Sequence, residues 1–159
     1  MRNPVSSLFH DLTLHEPSEV AKAYKDFISP CLMRVEEVMN SRVEFVEPDV
    51  PVLEVIEKIV NKRIRAVVVK LKDGSYGVIT IRDIVYRCLA KDANPENIKA
   101  HEIASKPLIA VEKGASLKEV IALMERSKVS NVFVKEGEKI IGYVSLIEVI
   151  GGYLIGRLL

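Results

Sequence analysis

The sequence predicts an α/β (α+β) fold. It is built from two copies of one β-α-β-β-α unit, packed sheet to sheet with pseudo-two-fold symmetry, behind an N-terminal helical arm. Three observations predict it. Slid by 65 residues, the segment 35–85 aligns with 100–150 without a gap. Identities recur along the whole match: Glu37/Glu102, Val46/Val111, Glu47/Glu112, Glu54/Glu119, Val55/Val120, Ile56/Ile121, Val67/Val132, Val69/Val134, Lys70/Lys135 and Gly77/Gly142. Within each copy the hydrophobic pattern passes between strand-like runs and helical spacing in the same order. A unit of this size has one sheet face and two helices and can hardly close a core alone, so two copies packed together solve the problem of burial.

Each element follows from local chemistry. A short helical turn comes first (Val35 to Met39; Ala100 to Ala104), then an extended segment (Val43 to Val46; Leu108 to Val111). In copy two a helix follows, capped by Ser116, with Glu119 three residues on completing a capping box. Leu117, Val120, Ile121 and Met124 recur at helical spacing. Copy one has Asp49 near the cap and Val52, Val55, Ile56 and Ile59 on the matching stripe. The runs Ala66–Val69 and Asn131–Val134 read as strands. Turns at Lys72-Asp73-Gly74 and Glu136-Gly137-Glu138 lead into second strands, Tyr76–Ile79 and Ile141–Val144. A second helix starts at Thr80 or Ser145.

Residues 1–34 lie outside the repeat. Val20, Ala23, Tyr24, Phe27 and Ile28 make one apolar helical face there, which Pro30 ends. The last residues, Val149 to Leu159, are very apolar and read as a buried or dimer-covered helix. Gly152 and Gly156 have the spacing of a close helix contact.

Composition excludes several classes. The net charge is +1, with acids and bases mixed along the chain, which argues against a nucleic-acid binder. No apolar run approaches the roughly 18–20 residues of a membrane span, and the start Met1-Arg2-Asn3-Pro4 lacks a signal-peptide core. The expectation is a cytoplasmic protein. Cys31 and Cys88 are far apart and form no C-x-x-C, and His10, His15 and His101 make no metal set. The adjacent pair Glu36-Glu37 reads as a solvated helix face, because neighbouring helical residues do not face each other.

The segment Gly77-Val78-Ile79-Thr80-Ile81-Arg82-Asp83 carries the most chemistry. It leaves a strand and enters a helix. Thr-x-x-Asp is a capping box in its own right, as Ser116–Glu119 is where no ligand is expected. The same geometry also suits a nucleotide. Unpaired N–H groups favour phosphate, a carboxylate at the third helical position can accept from both ribose hydroxyls, and Arg82 adds a charged fork. Arg65, at a strand entrance, is a second candidate, whereas Lys62 and Arg63 also complement a helix C-terminus.

The tandem β-α-β-β-α repeat and the segment G-V-I-T-I-R-D resemble tandem cystathionine-β-synthase (CBS) domains of the stand-alone, archaeal type. The resemblance covers residues 35–150 and rests on a motif G-h-h-[ST]-x-x-[DN], which copy one matches through Gly77, Thr80 and Asp83. Copy two reads Gly142, Ser145 and Glu148, with Glu in place of the usual acid. The organisation implied is an arm over 1–34, one CBS repeat over 35–90 and a second over 100–159 with an apolar C-terminal helix. The resemblance also implies a ligand, AMP, ADP or ATP, in a cleft between the repeats. Asp83 would hold the ribose and Thr80 would touch ribose or phosphate. Ile64, Arg65 and Ala66 would lie beside adenine and phosphates, with Ile79 and Val46 contributing to the wall. Ser145, Glu148, Ser130 and Asn131 would form a weaker or empty second site, since no base stands at the Arg65 equivalent.

The expected function is a non-catalytic regulatory or sensor module that binds an adenine nucleotide and acts on a regulated protein outside this chain. It uses no catalytic cofactor and no metal, forms a homodimer, and involves neither membrane nor nucleic acid. The alternatives are a binder of S-adenosyl compounds and a structural dimerisation scaffold without a nucleotide. No activated nucleophile, P-loop or zinc motif supports an enzyme.

Overall fold

A computed structural model describes residues 33–158. The predicted N-terminal arm with its apolar face from Val20 to Ile28, together with Cys31, His10 and His15, lies outside the described residues. The chain divides into two compact units. One is the continuous stretch Arg42–Ile109. The other, among the described residues, joins 33–41 to 110–158.

The continuous unit holds β1 (Phe45–Val46), α2 (Val52–Lys62), β2 (Ala66–Lys70), β3 (Tyr76–Thr80), α3 (Ile81–Arg87) and the short helix α4 (Ala100–Ile103). The label α1 belongs to Val35–Val38 in the other unit. The sheet order is β1-β2-β3, with β1 parallel and β3 antiparallel to β2. Val67 and Val69 alternate toward a core that also takes Val52, Val55 and Ile59 from α2, Ile79 from β3 and Ala100 and Ile103 from α4. Burying each such Val or Ile side chain contributes roughly 1.5–3 kcal/mol relative to exposure. Ala66 and Val68, which point to the other face of the sheet, are buried too.

The cap of α2 differs from the sequence expectation. Its N-cap is Pro51, without a side-chain cap bond. Asp49 faces Lys72 at 3.3 Å instead, with His101 and Lys99 slightly farther away. The helix ends at Arg63, a left-handed residue with φ 51°.

The discontinuous unit holds α1, β4 (Ala110–Glu112), α5 (Leu117–Ser127), β5 (Asn131–Glu136), β6 (Lys139–Ser145) and α6 (Leu146–Leu158). Its sheet repeats the first in order and sense. Ser116 caps α5 in the predicted box with Glu119. The hairpin departs from copy one. Strands run to Glu136 and from Lys139, so the turn tightens to Gly137-Glu138, and a register shift beside Val134/Lys135 absorbs the extra residue. Gly152 is buried against α1: a Cβ there would meet Val38 Cγ1 at 2.8 Å. Of the glycine pair singled out in the sequence, Gly152 thus makes a close contact, with α1 as the neighbour.

The leading turn of each repeat belongs to the compact unit that holds the strands of the other repeat. In the continuous unit, Ala100 N–H donates to Val50 O and Val52 N–H to Ile98 O, both at 2.8 Å. In the other unit, Val35 N–H donates to Ala115 O and Leu117 N–H to Met33 O, both at 2.7 Å. These are equivalent positions of the repeat. α4, from repeat two, thus completes the core beside the strands of repeat one, and α1, from repeat one, sits with the strands of repeat two.

Candidate functional site

Strand β3 runs directly into α3, and Thr80 is the hinge, with φ −101° and ψ 169°. Its N–H donates to Asp83 Oδ2 at 2.8 Å and its hydroxyl donates to the same oxygen at 3.0 Å. The Asp83 N–H returns a bond to Thr80 Oγ1 at 3.3 Å. The predicted capping box is complete. The other carboxylate oxygen, Oδ1, accepts from Ser105 Oγ at 2.9 Å and lies 3.6 Å from Arg87 Nε. Asp83 is 8% exposed, a charge held almost out of water. Such a charge is tolerable only when paired and hydrogen-bonded.

Register brings further residues to the same end of the sheet. Ala66 pairs with Thr80, so Arg65, one residue earlier, enters the sheet beside the start of α3. Arg65 is exposed and makes no ion pair among the described residues. Arg82 is exposed on the first turn of α3, with its guanidinium 5.2 Å from the Tyr86 ring centre. Lys62 is engaged elsewhere: it donates to Glu44 Oε1 at 2.7 Å. That bond is the main reason the Glu44 carboxyl titrates below its ordinary value; burial opposes it, and the charges of Lys62 and Lys58 add to the lowering.

The apolar candidates occupy different places. Ile64, Ala66 and Ile79 are buried, with Ile64 and Ile79 in the core cluster, so only their backbone can face a ligand. Val46 is buried as well. It pairs with Val69, three residues along β2 from Ala66, or about 10 Å at strand rise. Thr80, Asp83, Arg82 and Arg65 gather at one sheet end; Val46 stands apart from them. Sequence reading missed Ser105 and Arg87, both partners of Asp83. The signal for Ser105 lies in the exchange of the leading turn, which no local pattern encodes. Gly77 of the motif lies against the chain itself: a Cβ there would be 3.2 Å from Ala104 Cβ and Ser105 O.

The equivalent end of the discontinuous unit is built differently. The Glu148 side chain accepts from the Ser145 N–H at 2.8 Å and from the Ser145 hydroxyl, as Asp83 does from Thr80. Ser130, Ile147 and Gly152 stand where Arg65, Arg82 and Arg87 stand in copy one, so no base is present. Ser130 is exposed, and Asn131, paired with Ser145, has a buried Oδ1 without a hydrogen-bond partner among the described residues.

The described residues contain no cluster of three or more His, Cys, Asp or Glu that could hold a metal. None of the described helices is long and apolar enough to cross a membrane. The arrangement offers one buried, pre-oriented carboxylate and two exposed guanidinium groups at a strand end, which is equipment for binding a polyol and anionic groups.

The family model for the CBS domain matches residues 35–90 and again 100–154. An uncharacterized protein of Methanopyrus kandleri is 32% identical over 85 residues, 53% of this chain and 43% of that protein. The matched region spans about half the length of the curated relatives, 43% and 55% for the first two. Among solved structures, a hexameric CBS-CP12 protein from bloom-forming cyanobacteria superposes with a TM-score of 0.71 at 22% identity, covering 75% of this chain and 67% of that one. An uncharacterized conserved protein of Pyrococcus horikoshii gives 0.68 at 22% identity, covering 76% and 91%. At these identities the likeness is one of fold.

Proposed function

This chain belongs to the CBS-domain family, and from that premise we propose that it is a non-catalytic sensor that binds an adenine nucleotide at the end of β3. The observation that carries the proposal is the Asp83 carboxylate, buried and oriented by three hydrogen bonds and the Arg87 ion pair, with Arg65 and Arg82, which make no ion pair among the described residues, at the same sheet end. A carboxylate of this kind accepts from the two ribose hydroxyls. The guanidinium groups suit phosphates and favour AMP, ADP or ATP over a sulfonium ligand. The discontinuous unit keeps the carboxylate bonds to its Ser145 but has no base at the matching positions, which supports one nucleotide per chain.

The sensor is proposed to act as a homodimer on a separate regulated protein. Leu146, Ile147, Ile150, Tyr153 and Leu154 are exposed along one face of α6. Monomers rarely leave so large a contiguous apolar stripe open to water. A second copy of this chain fits it, in line with the hexameric assembly of the cyanobacterial fold relative.

Equilibrium dialysis with AMP, ADP, ATP and S-adenosylmethionine tests the proposal. It predicts one equivalent of an adenine nucleotide per chain, lost in Asp83→Asn. Two equivalents, or binding indifferent to Asp83→Asn, contradict it.

A further inference from the structure

We infer that the ribose and the Ser105 hydroxyl compete for the Asp83 carboxylate, so that nucleotide binding loosens the stretch from Ser105 onward by which the chain leaves the continuous unit. The inference rests on the reading of Asp83 as the ribose-binding carboxylate and adds how occupancy is transmitted.

An ionised carboxylate has about four acceptor positions. In Asp83 three of them are taken by the chain's own donors, Thr80 N–H and Thr80 Oγ1 on one oxygen and Ser105 Oγ on the other, and Arg87 Nε lies 3.6 Å from the second oxygen as an ion pair. A ribose that brings both of its hydroxyls to this carboxylate must displace one of the three. The two Thr80 bonds form the cap of α3, and losing them frees helix N–H groups. Arg87 is the countercharge of a buried acid. Ser105 is the neutral donor, attached from outside the helix, and is the one to leave.

Besides that bond, Ser105 exchanges two backbone hydrogen bonds with Val78, Ser105 N–H to Val78 O at 2.8 Å and Val78 N–H to Ser105 O at 3.0 Å, and Ile103 and Ala104 before it are buried in the core. Arg87 Nη1 reaches Ile103 O and Ala104 O at 3.3 and 3.4 Å. Beyond Ser105 a single bond, Leu108 N–H to Tyr76 O at 3.3 Å, precedes the end of the unit at Ile109. Arg87 therefore touches both the carboxylate and the segment, and a ligand that draws either one moves the other. The described residues of the discontinuous unit carry other side chains at these positions. Asn40 stands at the position of Ser105 and donates to Tyr143 Oη, and Gly152 stands at that of Arg87.

The test measures affinity and backbone protection together, with AMP, ADP and ATP in turn. Ser105→Ala removes the competing donor, and we expect it to bind about three- to tenfold more tightly than the native chain. Ser116→Ala, which uncaps a helix in the other unit, is expected to leave affinity unchanged. In the native chain, nucleotide saturation is expected to speed hydrogen exchange at the Ser105 and Val78 amides by about tenfold or more. Binding that depends on Asp83, with unchanged or weaker affinity in Ser105→Ala or with slower exchange at Ser105, overturns the competition and leaves the nucleotide site standing. No nucleotide binding to either chain overturns both.

Discussion

Asn40 and Tyr143 exchange a pair of backbone hydrogen bonds, Asn40 N–H to Tyr143 O at 2.8 Å and Tyr143 N–H to Asn40 O at 2.9 Å. Shifted along the repeat, Ser105 and Val78 do the same at 2.8 and 3.0 Å. In each unit a segment of one repeat is therefore laid along the last strand of the other. Beneath each bridge is a glycine, because the backbones approach too closely for a side chain.

That closeness is unequal in the two units. A Cβ at Gly142 would meet Met39 Sδ at 2.5 Å and Asn40 O at 2.9 Å, whereas at Gly77 the nearest atoms are 3.2 Å away. Overpacking typically costs about 1–3 kcal/mol, and about 1 kcal/mol moves the melting temperature of a chain this size by roughly 2–4 °C. Gly142→Ala is expected to lower the melting temperature by several degrees, and Gly77→Ala by less. Thermal unfolding followed by circular dichroism checks the order. Equal losses would show that the close approach at Gly142 does not constrain the fold.

Thr80 and Ser116 cap their helices with the same box. Replacing either with Ala should cost about 1 kcal/mol of stability. Only Thr80→Ala should also weaken nucleotide binding. Paired melts and titrations separate the two roles, and a Thr80→Ala chain with native affinity would confine Thr80 to capping.

Glu44 gives a pH dependence with a definite sign. Its pKa is lowered in the folded chain, first by the hydrogen bond from Lys62. A lowered carboxylate pKa means that the folded state holds the ionised form more strongly than the unfolded chain does. The contribution is present above the unfolded value and is lost as pH falls through the folded one. The destabilisation caused by Lys62→Met should therefore be seen near neutral pH and fade as the pH falls through and below the ordinary carboxylate range. Urea unfolding of both chains at several pH values checks it. A difference that grows toward acid contradicts the assignment.

The α6 stripe predicts the assembly state. Ile150 is 65% exposed and Leu154 51%. The double substitution Ile150→Glu with Leu154→Glu should convert a sedimenting dimer to a folded monomer. A native chain that already sediments as a monomer at high micromolar concentration argues against a second copy on this face.

Much of this fold was legible in the sequence because the repeat supplied each pattern twice. Ser116 with Glu119, and Thr80 with Asp83, are local signals, and both boxes form as read. The valines of β2 announce a strand buried on both faces. Three features were not legible. The cap at Pro51 displaces Asp49, whose partners Lys72 and His101 are far off in sequence. The shortened hairpin at Gly137 is hidden by a gapless alignment, since a bulge compensates for it. The Ser105–Asp83 bond depends on which strands the leading turn packs against, and that choice is tertiary. At the site, residue types marked Thr80 and Asp83 correctly as partners. Only the fold shows how fully each is already engaged.

The most direct test of the central claim is thermal unfolding of the native chain and Asp83→Asn with AMP, ADP, ATP or S-adenosylmethionine. A ligand at one hundred times its dissociation constant adds about 2.7 kcal/mol, or roughly 5–10 °C for a chain of this size. The account predicts such a rise with an adenine nucleotide in the native chain and none in Asp83→Asn. No rise with any of the four, or an equal rise in both chains, would leave Thr80 and Asp83 as a helix cap and contradict the nucleotide site.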